Sequence, residues 1–323
     1  MDSRTFGSNP IPMKKLITPL ALVLIFSAGL KAQNINYEIT YDNPDFRPFW
    51  NLNLSYFDID IPVGSLDAVN FNAGIWGNVE PVNGIGIDYR YRRSYLTMAQ
   101  LGYKNPPAFN NFELGGYFRF AGNTKLRPTP VILEIDWDAD GNSFNDEDVF
   151  QMKSIGIQAK KRRDYLLRAG YYHLSSPLTI DEVSDANGVD IFADDLAKAS
   201  LNGLYAGFSI RTFTNVFIKT DKFGEQFNSK GRLIYIDAIF AGANISDPYE
   251  DPSVLAFDED AAKEAIGTLP LGFRIGMNTY QIEKKARTGK KFGMSTNYEL
   301  GYRPYIGWYV SGGLGLTLVK WNK

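Results

Sequence analysis

The sequence predicts an all-β protein that folds as a transmembrane antiparallel up-and-down β-barrel of about 12 strands. Apolar residues recur at every second position in about a dozen segments, the period of a β-strand with one apolar face. Most segments have roughly nine residues or more, enough to cross a bilayer at a tilt. The chain is 14% aromatic and contains 30 glycines, a composition typical of membrane-spanning barrels. The alternative is a secreted soluble β-sandwich, whose strands usually have about five or six residues.

The chain begins with an export signal. A basic segment, Met13–Lys15, precedes an apolar run from Leu16 to Leu30, and small residues before Gln33 offer a cleavage site. The run is short for a membrane-spanning helix, and this order of basic, apolar and small residues is typical of a secretory signal peptide. We therefore assign residues 1–32 to an N-terminal extension and signal peptide.

Residues 49–323 are predicted to form the barrel. The predicted strands lie at 49–61, 69–77, 84–95, 112–121, 129–136, 149–160, 164–175, 202–219, 232–241, 271–283, 292–302 and 308–321. In the first strand the alternation changes phase near Tyr56 and Phe57, which predicts a β-bulge. Residues 33–48, the N-terminal segment of the mature chain, alternate as well. They form either an additional strand or a segment held in the lumen or the periplasm.

The predicted connections differ in length and charge. The long connections 136–148, 176–201 and 242–270 contain more than half of the 36 acidic residues, whereas the tight turns 160–163 and 284–291 are basic. Because bacterial barrels place short turns in the periplasm and long loops outside, we expect an acidic outer surface and periplasmic termini. The formal net charge of −2 argues against nucleic acid as a partner, and the lack of cysteine excludes a disulfide framework.

The polar side of the predicted strands carries charges of both signs. Charges that face lipid would cost about 2–4 kcal/mol each at the middle of the membrane, so we expect these residues to face the lumen. They are Asp88, Arg90, Arg92, Glu113, Arg119, Arg168, Arg211, Asp237, Arg274, Glu299 and Arg303. One interpretation is a lattice of ion pairs that fills a narrow barrel. The other is an arginine-lined passage for anionic solutes, favoured by seven arginines against four acids.

The segment from Asp136 to Glu147 matches the pattern D-x-D-x-D-G-x5-E over its 12 residues. Oxygen ligands at this spacing, with a glycine at the sharp turn, can enclose one Ca²⁺ ion. The segment resembles an EF-hand loop, although Ser143 replaces the usual aliphatic residue and strands flank it. The resemblance implies a Ca²⁺ site in an outer loop, with ligands from Asp136, Asp138, Asp140, Asn142 and Glu147. The alternative is a solvated acidic hairpin tip.

The chain's one histidine lies close to a serine on a predicted strand. His173 and Ser175 share a face, and Asn202 begins the next predicted strand. A serine nucleophile, a histidine base and an orienting asparagine form an acyl-hydrolase geometry. The three residues resemble the H-x-S-N site of outer-membrane phospholipase A and lipid A deacylase barrels, although Ser176 and Pro177 follow Ser175 here. The alternative is a histidine and tyrosine pair in the aromatic girdle at the membrane interface.

The signal region Ser27–Gln33, together with an aromatic-rich barrel, resembles uncharacterised outer-membrane proteins of the Bacteroidota type. We predict a passive channel, or a structural or docking component of the cell envelope, located in the outer membrane. Outer-membrane lipid and an envelope protein bound by the acidic outer loops are the expected partners. The alternatives are a lipid acyl hydrolase and a component of a secretion or gliding machinery, although no segment matches the barrel family that serves the latter.

Overall fold

The computed structural model describes residues 35–45, 48–63, 68–99, 108–137, 150–179, 183–184, 190–192, 196–246, 269–285 and 291–321. Across these ranges the chain forms 13 β-strands. They are β1 (Tyr37–Asp42), β2 (Pro48–Val63), β3 (Ala68–Val82), β4 (Ile85–Ala99), β5 (Asn110–Trp137), β6 (Phe150–Thr179), β7 (Val183–Ser184), β8 (Asp190–Phe192), β9 (Leu196–Thr220), β10 (Gly224–Ser246), β11 (Leu271–Lys285), β12 (Lys291–Arg303) and β13 (Gly307–Trp321). The same ranges contain no helix long and apolar enough to cross a membrane.

Ten of the strands close into an antiparallel barrel. Strands β2 to β6 and β9 to β13 pair in sequence, β6 pairs with β9, and β13 pairs with β2. Strands β7 and β8 pair only with each other. The prediction of an antiparallel barrel is confirmed, and a single closed sheet excludes the two-sheet sandwich. The predicted number of about 12 strands is too high by two.

The predicted number exceeds the observed number by two because two pairs of consecutive predicted strands are each one long strand. Predicted segments 112–121 and 129–136 are both part of β5, and segments 149–160 and 164–175 are both part of β6. Beyond Arg119, β6 is the one described strand that pairs with the backbone of β5, so the other edge of β5 is free. Pro128 lies in this stretch, and a free edge requires no N–H donor from it. The basic segment 160–163 likewise continues β6 instead of turning.

This change in strand count moves the first acidic connection to the other end of the barrel. We call the end where β2 begins and β13 ends the terminal end, and the opposite one the far end. Strand β5 ends and β6 begins at the terminal end, whereas connections 180–195 and 247–268 follow strands that reach the far end. The prediction that all three acidic connections share one side is therefore wrong, because each merged pair removes one reversal of the chain.

The N-terminal segment contributes an additional strand outside the ring of ten. Strand β1 pairs with β9 from Tyr37 opposite Thr220 to Asp42 opposite Val216. This is the stretch of β9 that continues past its last pair with β6, Lys161 opposite Thr214. Of the two interpretations of this segment, the additional strand is the one that the structure contains, and the ring keeps an even number of strands.

The bulge predicted in the first strand is confirmed. Against β3, the register of β2 shifts between Ser55 and Asp58. Against β13, it shifts between Ser55 and Phe57, which stand opposite Gly315 and Leu314. The extra residue reverses which side chains face inward. Asn53 and Ser55 are buried before the shift, and Asp58 and Asp60 are buried after it.

The barrel carries its apolar side chains on the outside. Each of the ten strands exposes at least one large apolar residue on its outer face, and together they form what we call the apolar belt. Representative members, one for each strand, are Leu54, Ile75, Ile87, Leu114, Leu167, Leu204, Ile236, Ile275, Leu300 and Leu314. The residues between them point inward and are largely polar or charged. This distribution is the reverse of that in a water-soluble protein.

Candidate functional site

The barrel interior holds a set of ion pairs between strands that are not neighbours. Arg90 on β4 lies 2.7 Å from Glu299 on β12, and Arg274 on β11 lies 2.6 Å from Glu113 on β5. Strands this far apart around the ring can exchange such contacts only across the interior. Among the 11 residues predicted to face the lumen, eight are buried and Asp88, Arg119 and Arg211 are half-buried.

Arg274 is the centre of this set. Its side chain is 0% exposed and contacts three carboxylates from three strands. The Nη1 atom lies 2.6 Å from Glu113 and 3.5 Å from Glu299, and Nε lies 2.8 Å from Asp237. Asp237 stands directly opposite Arg274 on β10, so strand register alone makes one of these pairs. Glu299 lies on the other neighbouring strand, β12, two residues from Gly301, which stands opposite Arg274. Only the pair with Glu113 on β5 requires the opposite wall of the barrel to approach.

The ion pairs continue from Arg274 toward both ends of the barrel. Toward the terminal end, Arg168 lies 3.5 Å from Asp237 and 2.8 Å from Asp88. Toward the far end, Arg92 lies 3.9 Å from Glu299 and 3.5 Å from Asp58. Arg303 pairs with Asp60 in the same region. We call this connected set, with its tyrosines, the ion-pair lattice.

Four interior carboxylates were not among the predicted lumen residues. Asp58 and Asp60 pair with Arg92, Glu80 and Asp164 pair with Arg211, and Asp164 also lies 3.8 Å from Arg119. In the described residues the seven predicted arginines therefore meet eight carboxylates, and the arginine excess inferred from the sequence disappears. The phase change at Tyr56 was the signal that could have placed Asp58 and Asp60 inside.

Buried tyrosines fill the space between the charges. Tyr235 and Tyr309 both donate hydrogen bonds to Glu299, and Tyr205 donates one to Asp88 at 3.2 Å. Their rings also lie beside guanidinium groups, with Arg168 4.6 Å from the centre of Tyr235 and Arg303 3.7 Å from that of Tyr309. A cation over an aromatic face is attracted by the ring quadrupole, so the tyrosines stabilise arginines as well as acids.

Glycines opposite these tyrosines give their rings room. Tyr235 stands directly across from Gly276, and Tyr117 directly across from Gly86. A Cβ atom at either glycine would overlap the facing ring. The glycines of the polar side are thus part of the lattice, because they let each ring lie flat along the neighbouring strand.

A small cavity lies beside the ion-pair lattice in the described part of the chain. It has a volume of about 80 Å³ and lies toward the terminal end, lined among others by Glu80, Asp88, Tyr117 and Arg211. Such a volume holds several water molecules. Toward the far end, Phe109, Tyr172, Leu174, Leu201, Tyr205, Ile239 and Ala241 form a buried apolar cluster.

Two of the three predicted acyl-hydrolase residues meet. His173 and Asn202 stand opposite each other, with 2.8 Å between His173 Nδ1 and Asn202 Oδ1. Tyr171 donates a hydrogen bond of 2.9 Å to the same oxygen. Ser175 is buried, and its Oγ has no hydrogen-bond partner among the described residues. The histidine and asparagine are therefore paired without the serine.

The predicted Ca²⁺ ligands cannot be assembled from the described residues. Asp136 lies in the last residues of β5, whereas Asp138, Asp140, Asn142 and Glu147 lie outside the described ranges. Within those ranges no group of three or more metal-ligating side chains is placed to hold a metal ion.

A closed antiparallel barrel with a charged interior and an apolar exterior defines the class of the fold. No protein-family model and no curated protein matches the chain. Similar solved structures include two of OmpT, an outer membrane protein of Vibrio cholerae. They are a loop L8 deletion mutant (8% identity, TM-score 0.15) and an in-vitro folded trimer form (8% identity, TM-score 0.16), each matched over 88% of this chain and 99% of that chain. Because these TM-scores are low, the functional assignment rests on the barrel's own contacts.

The contact between Tyr235 and Gly276 can be tested by substitution. We expect Gly276→Val to lower the free energy of unfolding by about 1–3 kcal/mol, because the new side chain must displace the buried ring. Denaturant unfolding in detergent micelles measures this. Gly242→Val is the matched control, since a Cβ at Gly242 meets nothing within 4 Å. Equal effects of the two substitutions would contradict the packing described here.

Proposed function

We propose that the protein is an outer-membrane β-barrel with a closed lumen, which acts as a structural or docking component of the cell envelope. The observation that carries this proposal is the ion-pair lattice around Arg274, enclosed by a barrel whose exposed face is apolar. The closed lattice favours this role over the passive channel that the sequence left open.

The apolar belt supports insertion in a membrane. All ten barrel strands expose large aliphatic or aromatic residues, and a soluble monomer rarely exposes a continuous apolar surface beyond a few hundred square ångströms. In a bilayer the belt faces lipid, and the backbone groups of a closed sheet are all paired within the ring. Closed barrels of even strand number are typical of bacterial outer membranes, which agrees with the export signal predicted at the N-terminus.

The pairing of the interior charges supports a closed lumen. Each of the seven predicted lumen arginines forms an ion pair with at least one carboxylate. An anion-selective passage needs cationic side chains that are free to bind the solute. Here the acids already occupy them, and the pairs connect opposite walls.

Planar-bilayer recording tests the closed lumen. We expect no steady single-channel current from the reconstituted protein, because an ion would have to separate several buried pairs in succession. Heat-modifiable electrophoretic migration confirms that the protein in the same sample is folded as a barrel. A stable open state with anion or cation preference would contradict the proposal.

A docking role would use the far end of the barrel. The acidic connections 180–195 and 247–268 follow strands that reach this end. Their charge complements a basic surface on an envelope protein. The Ca²⁺ site proposed for residues 136–147 belongs to the connection at the opposite, terminal end.

A lipid acyl hydrolase is the second candidate function, and the hydrogen bond between His173 and Asn202 favours it. The buried and unbonded Ser175 Oγ does not. We expect no release of fatty acid from phospholipid in mixed micelles, with or without Ca²⁺. Turnover that Ser175→Ala abolishes, and that Ser200→Ala on the facing strand leaves intact, would establish the hydrolase and overturn the non-enzymatic role.

A further inference from the structure

Five basic side chains form two rows across the outer surface of the barrel near its terminal end, and a sixth lies one step beyond them. Arg163 on β6 and Arg232 on β10 both stand opposite Thr212 on the intervening β9. One step nearer the terminal end, Lys161 and Lys230 both stand opposite Thr214. On β5, Lys125 stands opposite Lys161, and Arg127 follows it two residues later. We call these six side chains, Lys125, Arg127, Lys161, Arg163, Lys230 and Arg232, the basic patch.

The basic patch lies on the same face as the apolar belt and borders the belt on the side of the terminal end. On the side of the far end, the next outward residues after Arg163, Thr212 and Arg232 are Tyr165, Ile210 and Ile234, respectively. The next outward residues are Leu167, Phe208 and Ile236, of which Leu167 and Ile236 belong to the belt and Phe208 is half-buried between them. Five members of the patch are exposed and Lys161 is half-buried. The surface therefore changes from apolar to cationic within one row.

The basic patch has no counter-charge among the described residues. None of its six members forms an ion pair with a carboxylate there, in contrast to every arginine of the interior lattice. Like charges that gather without an acid disfavour one another, and an anion placed among them would relieve this repulsion.

We propose that the basic patch binds the phosphate headgroup of an anionic phospholipid, whose acyl chains lie against Tyr165, Ile210 and Ile234. This proposal rests on the membrane insertion proposed above. Arginine pairs with phosphate through two parallel hydrogen bonds, and basic residues beside a membrane surface attract anionic lipid. The patch lies near the end that has the tight turns 83–84 and 221–223, whereas the long connections 180–195 and 247–268 follow strands that reach the far end. In bacterial barrels the short turns face the periplasm and the longer loops face outward. The ligand is therefore a phospholipid of the periplasmic leaflet.

Lipid retention during native mass spectrometry tests the proposal. The protein is released from nanodiscs of phosphatidylglycerol and phosphatidylcholine in equal amounts, and bound lipid is counted. We expect wild type to retain phosphatidylglycerol preferentially, and Arg163→Gln/Arg232→Gln to retain about 30-fold less, because two charges are lost. The control Arg93→Gln/Lys198→Gln removes the same charge near the far end, and we expect it to retain lipid as wild type does.

The possible outcomes separate this proposal from the proposed function. If all proteins insert and show heat-modifiable migration, but both double variants retain phosphatidylglycerol equally, the patch does not bind this lipid and the membrane barrel stands. If nanodiscs that also contain lipid A yield protein with lipid A in preference to phosphatidylglycerol, the assignment to the periplasmic leaflet is overturned. If wild type does not insert, the proposed function itself fails.

Discussion

The barrel depends on the pairing of buried arginines with carboxylates from other strands. An isolated charge is far more costly inside a barrel than in water, so Arg274 requires Glu113, Asp237 and Glu299 around it. Asp237 and Glu299 come from the neighbouring strands β10 and β12, whereas Glu113 comes from β5 across the ring, so its contact fixes how the opposite walls approach one another. A shift of one strand by one residue would exchange its two faces and move its charges to the outer surface of the barrel.

The same constraint accounts for the tyrosines and glycines of the interior. A lattice of charges alone leaves gaps, and the Tyr235 ring fills one of them while its hydroxyl group bonds Glu299. The ring fits because Gly276 faces it. Charge, ring and glycine therefore form one unit across β10, β11 and β12 inside the barrel.

Strand alternation in the sequence was enough to predict the class of fold and which residues point inward. It was not enough to count the strands, because Pro128 and the basic run from Lys160 to Arg163 have the composition of turns. Both lie near the terminal end of long strands, where solvent or a free strand edge tolerates them. Asp58 and Asp60 were missed although the bulge was predicted, since a local phase change reverses every inward position after it.

The barrel carries its apolar face on the outside and encloses its charged face. Two tryptophans report on this arrangement: Trp308, which is 47% exposed on the outer face, and Trp76, which is 8% exposed and faces inward. Single-tryptophan variants, with phenylalanine at the other tryptophans, can be placed in vesicles of brominated phospholipid. We expect strong quenching of Trp308 fluorescence and little quenching of Trp76. Equal quenching of the two, or stronger quenching of Trp76, would contradict a lipid-facing belt around an enclosed lattice.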